Sequence, residues 1–126
     1  MTVVLDTTVL IDVLRGDPNA VRYLQDLPTV PVCSEATRIE VLRGLRSGER
    51  VLTERLFDAL RWVPIDEAIA RRAGDLGRRW DRHRPGVSLV DLVIAATTEQ
   101  LGAELATANV RHFPMFERLQ APYETA

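Results

Sequence analysis

Val3-Val4-Leu5-Asp6-Thr7-Thr8-Val9-Leu10-Ile11-Asp12 changes its period in mid-run. Val3 to Asp6 is a short β-rich run ending on an acid. From there Val9, Leu10, Val13 and Leu14 fall at helical spacing, with Thr7 or Thr8 placed to cap the helix and Gly16-Asp17-Pro18 to stop it. The same alternation repeats outward. Ala20 to Leu27 predicts a second short helix, Val30 to Cys33 a second strand, and Ser34 the cap of a helix running to about Arg46. Ser47-Gly48 breaks that helix, and Glu49 to Leu60 resumes the period. Arg61 to Ile65 reads as an edge or terminal strand because it contains Pro64. Asp66 caps a helix reaching about Arg82, His83 to Val87 is a loop, and Ser88 caps Leu89 to Leu101, apolar on nearly every side like an interior helix. After Gly102, Ala103 to Ala108 supplies another strand. The tail, with Phe113-Pro114-Met115-Phe116 and Pro122-Tyr123, packs on the core or adds a last strand. Strands alternating with helices predict an α/β fold with a parallel sheet covered on both faces, whose site lies beyond the carboxyl ends of the strands.

Three acids interrupt apolar runs: Asp6 after Val3-Val4-Leu5, Glu40 within Ile39-Glu40-Val41-Leu42, and Asp91 within Leu89-Val90-Asp91-Leu92-Val93-Ile94. An ionised carboxylate in apolar company is costly unless a cation or hydrogen bonds compensate it, so three of them point to a shared divalent-metal site. Asp6 falls at a strand end. Asn109 follows the strand ending Ala106-Thr107-Ala108 and emerges on the same rim if that strand is parallel to the first. Glu40 and Asp91 lie on helices, and small neighbours (Ala36, Thr37, Gly44) leave room around Glu40.

The 126 residues fit one domain, 1–126. The 46% hydrophobic and 27% charged fractions belong to a soluble globular chain, and no apolar run approaches the roughly 20 residues that span a bilayer. Met1 to Asp6 has no basic leader or cleavage signal, so a cytoplasmic location is expected. The single cysteine, Cys33, excludes an intramolecular disulfide and a Cys-rich zinc site and reads as a small buried residue. Net charge is −2, so no global basicity advertises nucleic acid. All 16 basic residues are arginine, a mark of a GC-rich genome, although the guanidinium fork also suits phosphate. Six arginines between Arg71 and Arg84 face only Asp75 and Asp81. This strongest basic segment is either a salt-bridged helix face or an RNA-contacting surface.

Four segments taken together carry a resemblance. They are Leu5-Asp6-Thr7 with Leu10-Ile11-Asp12; Ser34, Thr37, Glu40 and Gly44; Ser88-Leu89-Val90-Asp91-Leu92-Val93-Ile94-Ala95-Ala96; and Leu105-Ala106-Thr107-Ala108-Asn109 with Phe113. In their order, and at intervals of 34, 51 and 18 residues between Asp6, Glu40, Asp91 and Asn109, the whole chain resembles a PIN-domain ribonuclease of the VapC toxin type. The resemblance implies a three-layer α/β/α domain around a mainly parallel sheet, Mg²⁺ or Mn²⁺ in an acidic pocket, and hydrolysis of phosphodiester bonds in structured RNA, tRNA first. It also implies inhibition by a cognate VapB-type antitoxin, a homodimer, and toxin–antitoxin hetero-oligomers.

The residue types agree with that chemistry. Hard cations prefer oxygen ligands and keep waters, so dispersed Asp and Glu suit Mg²⁺ or Mn²⁺ better than zinc. On this reading Asp6 and Asp91 are direct or water-mediated ligands. Glu40 either binds metal or holds and deprotonates the attacking water. Thr7, Ser88 and Thr107 are candidates to support the ligands, Thr7 and Ser88 being equally placed as helix caps. Asn109 stands where the family often has a fourth acid. A neutral amide offers a carbonyl oxygen but removes one negative charge, which leaves one metal or two open. Asp12 reads as a surface or capping acid, and His112, before Phe113-Pro114, as a surface residue.

Two other classes compete. A PIN module that binds RNA or antitoxin without efficient catalysis is made conceivable by Asn109 and opposed by the three acids. A phosphotransferase on a doubly wound sheet would want a second acid two residues after Asp6, where Thr8 stands. For a partner, the apolar faces of Val9 to Leu14, Tyr23 to Leu27 and Val51 to Leu60 suit either a groove for an antitoxin segment or ordinary core packing.

Overall fold

The computed structural model describes residues 1–80 and 87–126. The expected loop at 83–86, the far end of the 66–82 helix and the last arginines of the basic segment lie outside the described residues. Four strands, β1 (Val3–Leu5), β2 (Val32–Ser34), β3 (Arg61–Val63) and β4 (Glu104–Ala106), form one sheet in the order β3-β2-β1-β4. Every pairing is parallel, with Val4 opposite Val32 and Leu105, and Cys33 opposite Trp62. Among the described residues six helices connect them: α1 (Thr7–Leu14), α2 (Pro18–Asp26), α3 (Glu35–Arg43), α4 (Arg50–Asp58), α5 (Glu67–Trp80) and α6 (Leu89–Gln100).

Strand alternation divides the core in two. Val4, Val32 and Leu105 face one cluster, which Ile69, Ala73 and Leu76 of α5 and Leu92 to Ala96 of α6 complete. Val3, Leu5, Cys33 and Ala106 face the other, against Val9 and Leu10 of α1 and Phe57 of α4. The three layers thus follow from side-chain period, and the α/β/α expectation holds. Among the described residues no helix is long and apolar enough to cross a membrane.

Several boundaries move, each for a local reason. Asp6, not Thr7 or Thr8, caps α1, its side chain accepting from the Thr7 N–H. Asp17-Pro18 opens α2 instead of only closing α1: Asp17 accepts from Asn19 and Ala20, and Pro18 takes the first helical turn, where its missing N–H costs nothing. β2 starts at Val32, and Ser34 both ends it and caps α3. Gly44 caps α3 three residues before the expected end. β4 stops at Ala106, so Thr107 to Asn109 leave the sheet. The tail adds no strand. It forms a 3₁₀ turn, Val110–His112, then buries Phe113 in one core and packs Tyr123 against the other. Asp12 is neither cap nor bare surface acid, because its Oδ2 accepts a 2.7 Å hydrogen bond from the Tyr123 hydroxyl.

Chain order runs from β1 outward through β2 to β3, then returns to place β4 on the other side of β1. The reversal opens a crevice beyond the carboxyl ends of β1 and β4, where α/β sheets bind ligands.

Candidate active site

Asp6 sits in that crevice, 3% exposed, and a cage of donors accounts for its position. Its Oδ1 accepts from the Thr7 N–H at 2.8 Å. Its Oδ2 accepts from the hydroxyls of Thr8 at 2.8 Å and Thr107 at 2.7 Å. The same hydroxyls serve the strand they join: Thr8 Oγ1 accepts from the Ala108 N–H at 3.1 Å and Thr107 Oγ1 from the Asn109 N–H at 2.9 Å. A carboxylate offers about four lone-pair positions, so one on Oδ1 stays open. Thr7 turns its own hydroxyl away, donating to Thr37 Oγ1 on α3 at 3.1 Å.

Asp91 enters from the first turn of α6, 6% exposed, as the return half of a capping box. Ser88 Oγ accepts from the Asp91 N–H at 3.1 Å, and Asp91 Oδ2 accepts from the Ser88 N–H at 2.9 Å. Burial raises the Asp91 pKa above the ordinary carboxylate range. Hydrogen bonds from Ser88 and the proximity of His112 oppose this, while the Asp6 charge adds to it. Two acids therefore share one field. Among the described residues the hydrogen bond and the histidine contact of the Asp91 carboxylate both fall on Oδ2.

Glu40 stands apart from this pair. It lies one turn beyond Thr37 on α3 and lines a cavity of about 110 Å³ between α1 and α3 with Ile11, Val41 and Gly44. None of the ion pairs among the described residues involves it. Accordingly, no group of three His, Cys, Asp or Glu side chains among the described residues is arranged to hold a metal. Two buried carboxylates suit a hard cation that keeps waters and takes substrate oxygens, and they would not make a closed zinc cage.

Asn109 follows Thr107 onto the rim and opens the 3₁₀ turn. His112, read from sequence as a surface residue, comes back to the site: its Nδ1 lies 3.2 Å from Asp91 Oδ2 and its Nε2 3.0 Å from Asn109 Nδ2. Residues three apart eclipse in a 3₁₀ turn, and the Asn109–His112 interval was the signal that could have found it. Thr8 was weighed only as a cap and is the hydroxyl that reaches Asp6. Of the basic segment, Arg71 pairs with Glu67 at 2.9 Å and Arg72 with Glu99 of α6 at 2.6 Å, so its first two members belong to a salt-bridged helix face.

Comparison with known proteins places this geometry. The family model described as PIN domain matches residues 3–119. Ribonuclease VapC19 of Mycobacterium tuberculosis is 43% identical over 122 residues, covering 94% of this chain and 98% of its own. Ribonuclease VapC10 of the same organism is 42% identical over 126 residues, covering 96% and 92%. Among solved structures, a toxin-antitoxin complex from Klebsiella pneumoniae superposes with a TM-score of 0.83 at 27% identity, covering 97% of this chain and 98% of that one.

Proposed function

The chain belongs to the PIN-domain family, among its VapC-type members, and from that membership we propose that it is a divalent-metal-dependent endoribonuclease toxin held in check by a VapB-type antitoxin. The observation that carries the reading is the pair of buried carboxylates, Asp6 and Asp91, held by fixed hydrogen bonds at the sheet's reversal point.

Asp6 and Asp91 are the residues that would hold Mg²⁺ or Mn²⁺. When bound, such a cation supplies an acidified water and neutralises charge on the scissile phosphate. The chain's own groups do the remainder. Thr8 and Thr107 orient Asp6 by donating to its Oδ2 without bringing a charge of their own. Ser88 fixes Asp91 by donating its backbone N–H to Oδ2. Glu40, set apart from the pair in the cavity between α1 and α3 and in none of the ion pairs among the described residues, is the remaining carboxylate that would position a water for attack.

Solved relatives support the antitoxin part, since the Klebsiella pneumoniae structure is by its own description a toxin-antitoxin complex and another, from nontypeable Haemophilus influenzae at 26% identity, is described as VapBC-1. The surface of this chain is compatible with it. Leu24, Leu27, Pro28, Val30 and Leu60 line a cavity of about 320 Å³ at the end of α2, and Val51 and Leu52 of α4 are 62% and 60% exposed. The substrate is structured RNA, tRNA being the first candidate, and the cytoplasm is where both are met.

The test is cleavage of tRNA and other structured RNAs by antitoxin-free protein. Activity should require Mg²⁺ or Mn²⁺ and vanish with EDTA or Asp6→Asn, and Glu40→Gln should slow it by about 10²–10⁴-fold. Adding the antitoxin should silence it. Wild type and Asp6→Asn equally inert would overturn the enzyme reading in favour of a binding module.

A further inference from the structure

Asn109 occupies the rim but aims its amide at His112 instead of the carboxylates of Asp6 and Asp91. We propose that Asn109 acts on Asp91 through His112: its amide N–H fills the ring's Nε2, the ring is thereby held as the Nδ1–H tautomer, and Nδ1–H orients Asp91. Both are positioning residues, neither a metal ligand. The inference rests on the reading of Asp91 as a ligand and adds how that ligand is aimed.

The argument is one of donors and acceptors. An ionised carboxylate only accepts, so the nitrogen facing Asp91 Oδ2 at 3.2 Å has to carry the proton. A neutral imidazole then has a single lone pair left, on Nε2. The group facing it at 3.0 Å is Asn109 Nδ2, a donor. An acid at position 109 could not make this contact without putting the ring proton on Nε2 or charging the ring, so the amide here is matched to the histidine beside it.

Backbone bonds keep the relay in register. The His112 N–H donates to the Asn109 carbonyl at 3.1 Å, closing the turn that brings the two side chains together. The Asn109 N–H donates to Thr107 Oγ1, whose own proton goes to Asp6 Oδ2. One turn after β4 thus reaches both carboxylates, Asp6 through a hydroxyl and Asp91 through a ring. On Asp91 the histidine and the Ser88 N–H share Oδ2, so both contacts fix the same oxygen and with it the plane of the carboxylate.

Two measurements test this. In protein carrying ¹⁵N-histidine at about pH 8, long-range ¹H–¹⁵N correlation should show His112 as the Nδ1–H tautomer, and Asn109→Ala should weaken that preference by leaving Asp91 alone to enforce it. A wild-type Nε2–H tautomer overturns the proposal. Mn²⁺ affinity, measured by calorimetry, should weaken about tenfold in His112→Ala. It should stay within about twofold of wild type in His112→Asn, whose amide nitrogen takes the place of Nδ1. Asn109→Ala should weaken binding in the wild-type background and add nothing to His112→Ala, because its effect passes through the ring. An Asn109→Ala loss of equal size in both backgrounds would make Asn109 a ligand and defeat the proposal. If wild type binds no Mn²⁺, the metal reading falls, and the tautomer alone decides the relay.

Discussion

A buried polar group is costly unless it is hydrogen-bonded, and threonines meet that need at Asp6: Thr7 gives a backbone N–H while Thr8 and Thr107 give hydroxyls. Thr97 and Thr98 follow the same rule inside α6, donating to the carbonyls of Val93 and Ile94 at 2.8 Å. Thr53 breaks it. Its hydroxyl is fully buried in α4 without a partner, so Thr53→Val, which keeps the shape and removes the unmet donor, should stabilise the fold by about 1 kcal/mol in urea titration. Cys33 makes the complementary case. Burial pushes its thiol from an ordinary 9.0 up to about 12, with Arg38 pulling it down slightly. The folded state therefore favours the neutral thiol. Its contribution is complete below about pH 9 and is lost as pH rises toward 12, at about 1.4 kcal/mol per unit. Iodoacetamide should leave folded protein unlabelled near neutral pH and modify it only after denaturation. Asp6 and Asp91 were legible as acids in apolar runs, because charge in the wrong place is visible in one dimension. Thr8 and His112 were not: their roles depend on which lone pair a neighbour leaves unfilled, and that appears only when β1, β4 and α6 meet.

At the scale of elements, the α5–α6 contact carries the interior helix on which Asp91 stands. Gly77 is a close approach within it: a Cβ there would lie 3.1 Å from the Leu92 side chain, one residue after Asp91. Gly74, one turn earlier, meets nothing within 4 Å. The two glycines should therefore answer oppositely. Gly74→Ala should raise stability by up to about 1 kcal/mol through helix propensity, whereas Gly77→Leu should cost about 1–3 kcal/mol by forcing the helices apart. Thermal melts of the two variants side by side would check the pair. Helices were readable in sequence because eight to fourteen residues average out local noise. The strands have three residues each, too few for a period to fix their ends, and so β2 and β4 shifted. Asp17-Pro18 was misread because one dipeptide both stops a helix and starts the next.

For the whole molecule, alternation of strands and helices was enough to foresee a parallel sheet between helical layers, since two antiparallel hairpins cannot be made from those connections. It did not reveal the order β3-β2-β1-β4, which depends on which side of β1 the last strand joins, and a pattern of buried positions is the same for either side. That order has a consequence in time. Asp6 and the Thr107 hydroxyl that holds it are 101 residues apart in the chain. Synthesis at ~5–20 residues per second separates their appearance by roughly 5–20 s. Through that interval β1 waits with one edge unpaired, and the crevice has only one wall. A site assembled in this order closes around Asp6 only once Thr107 has been made, so its first acid is in place long before the hydroxyl that orients it.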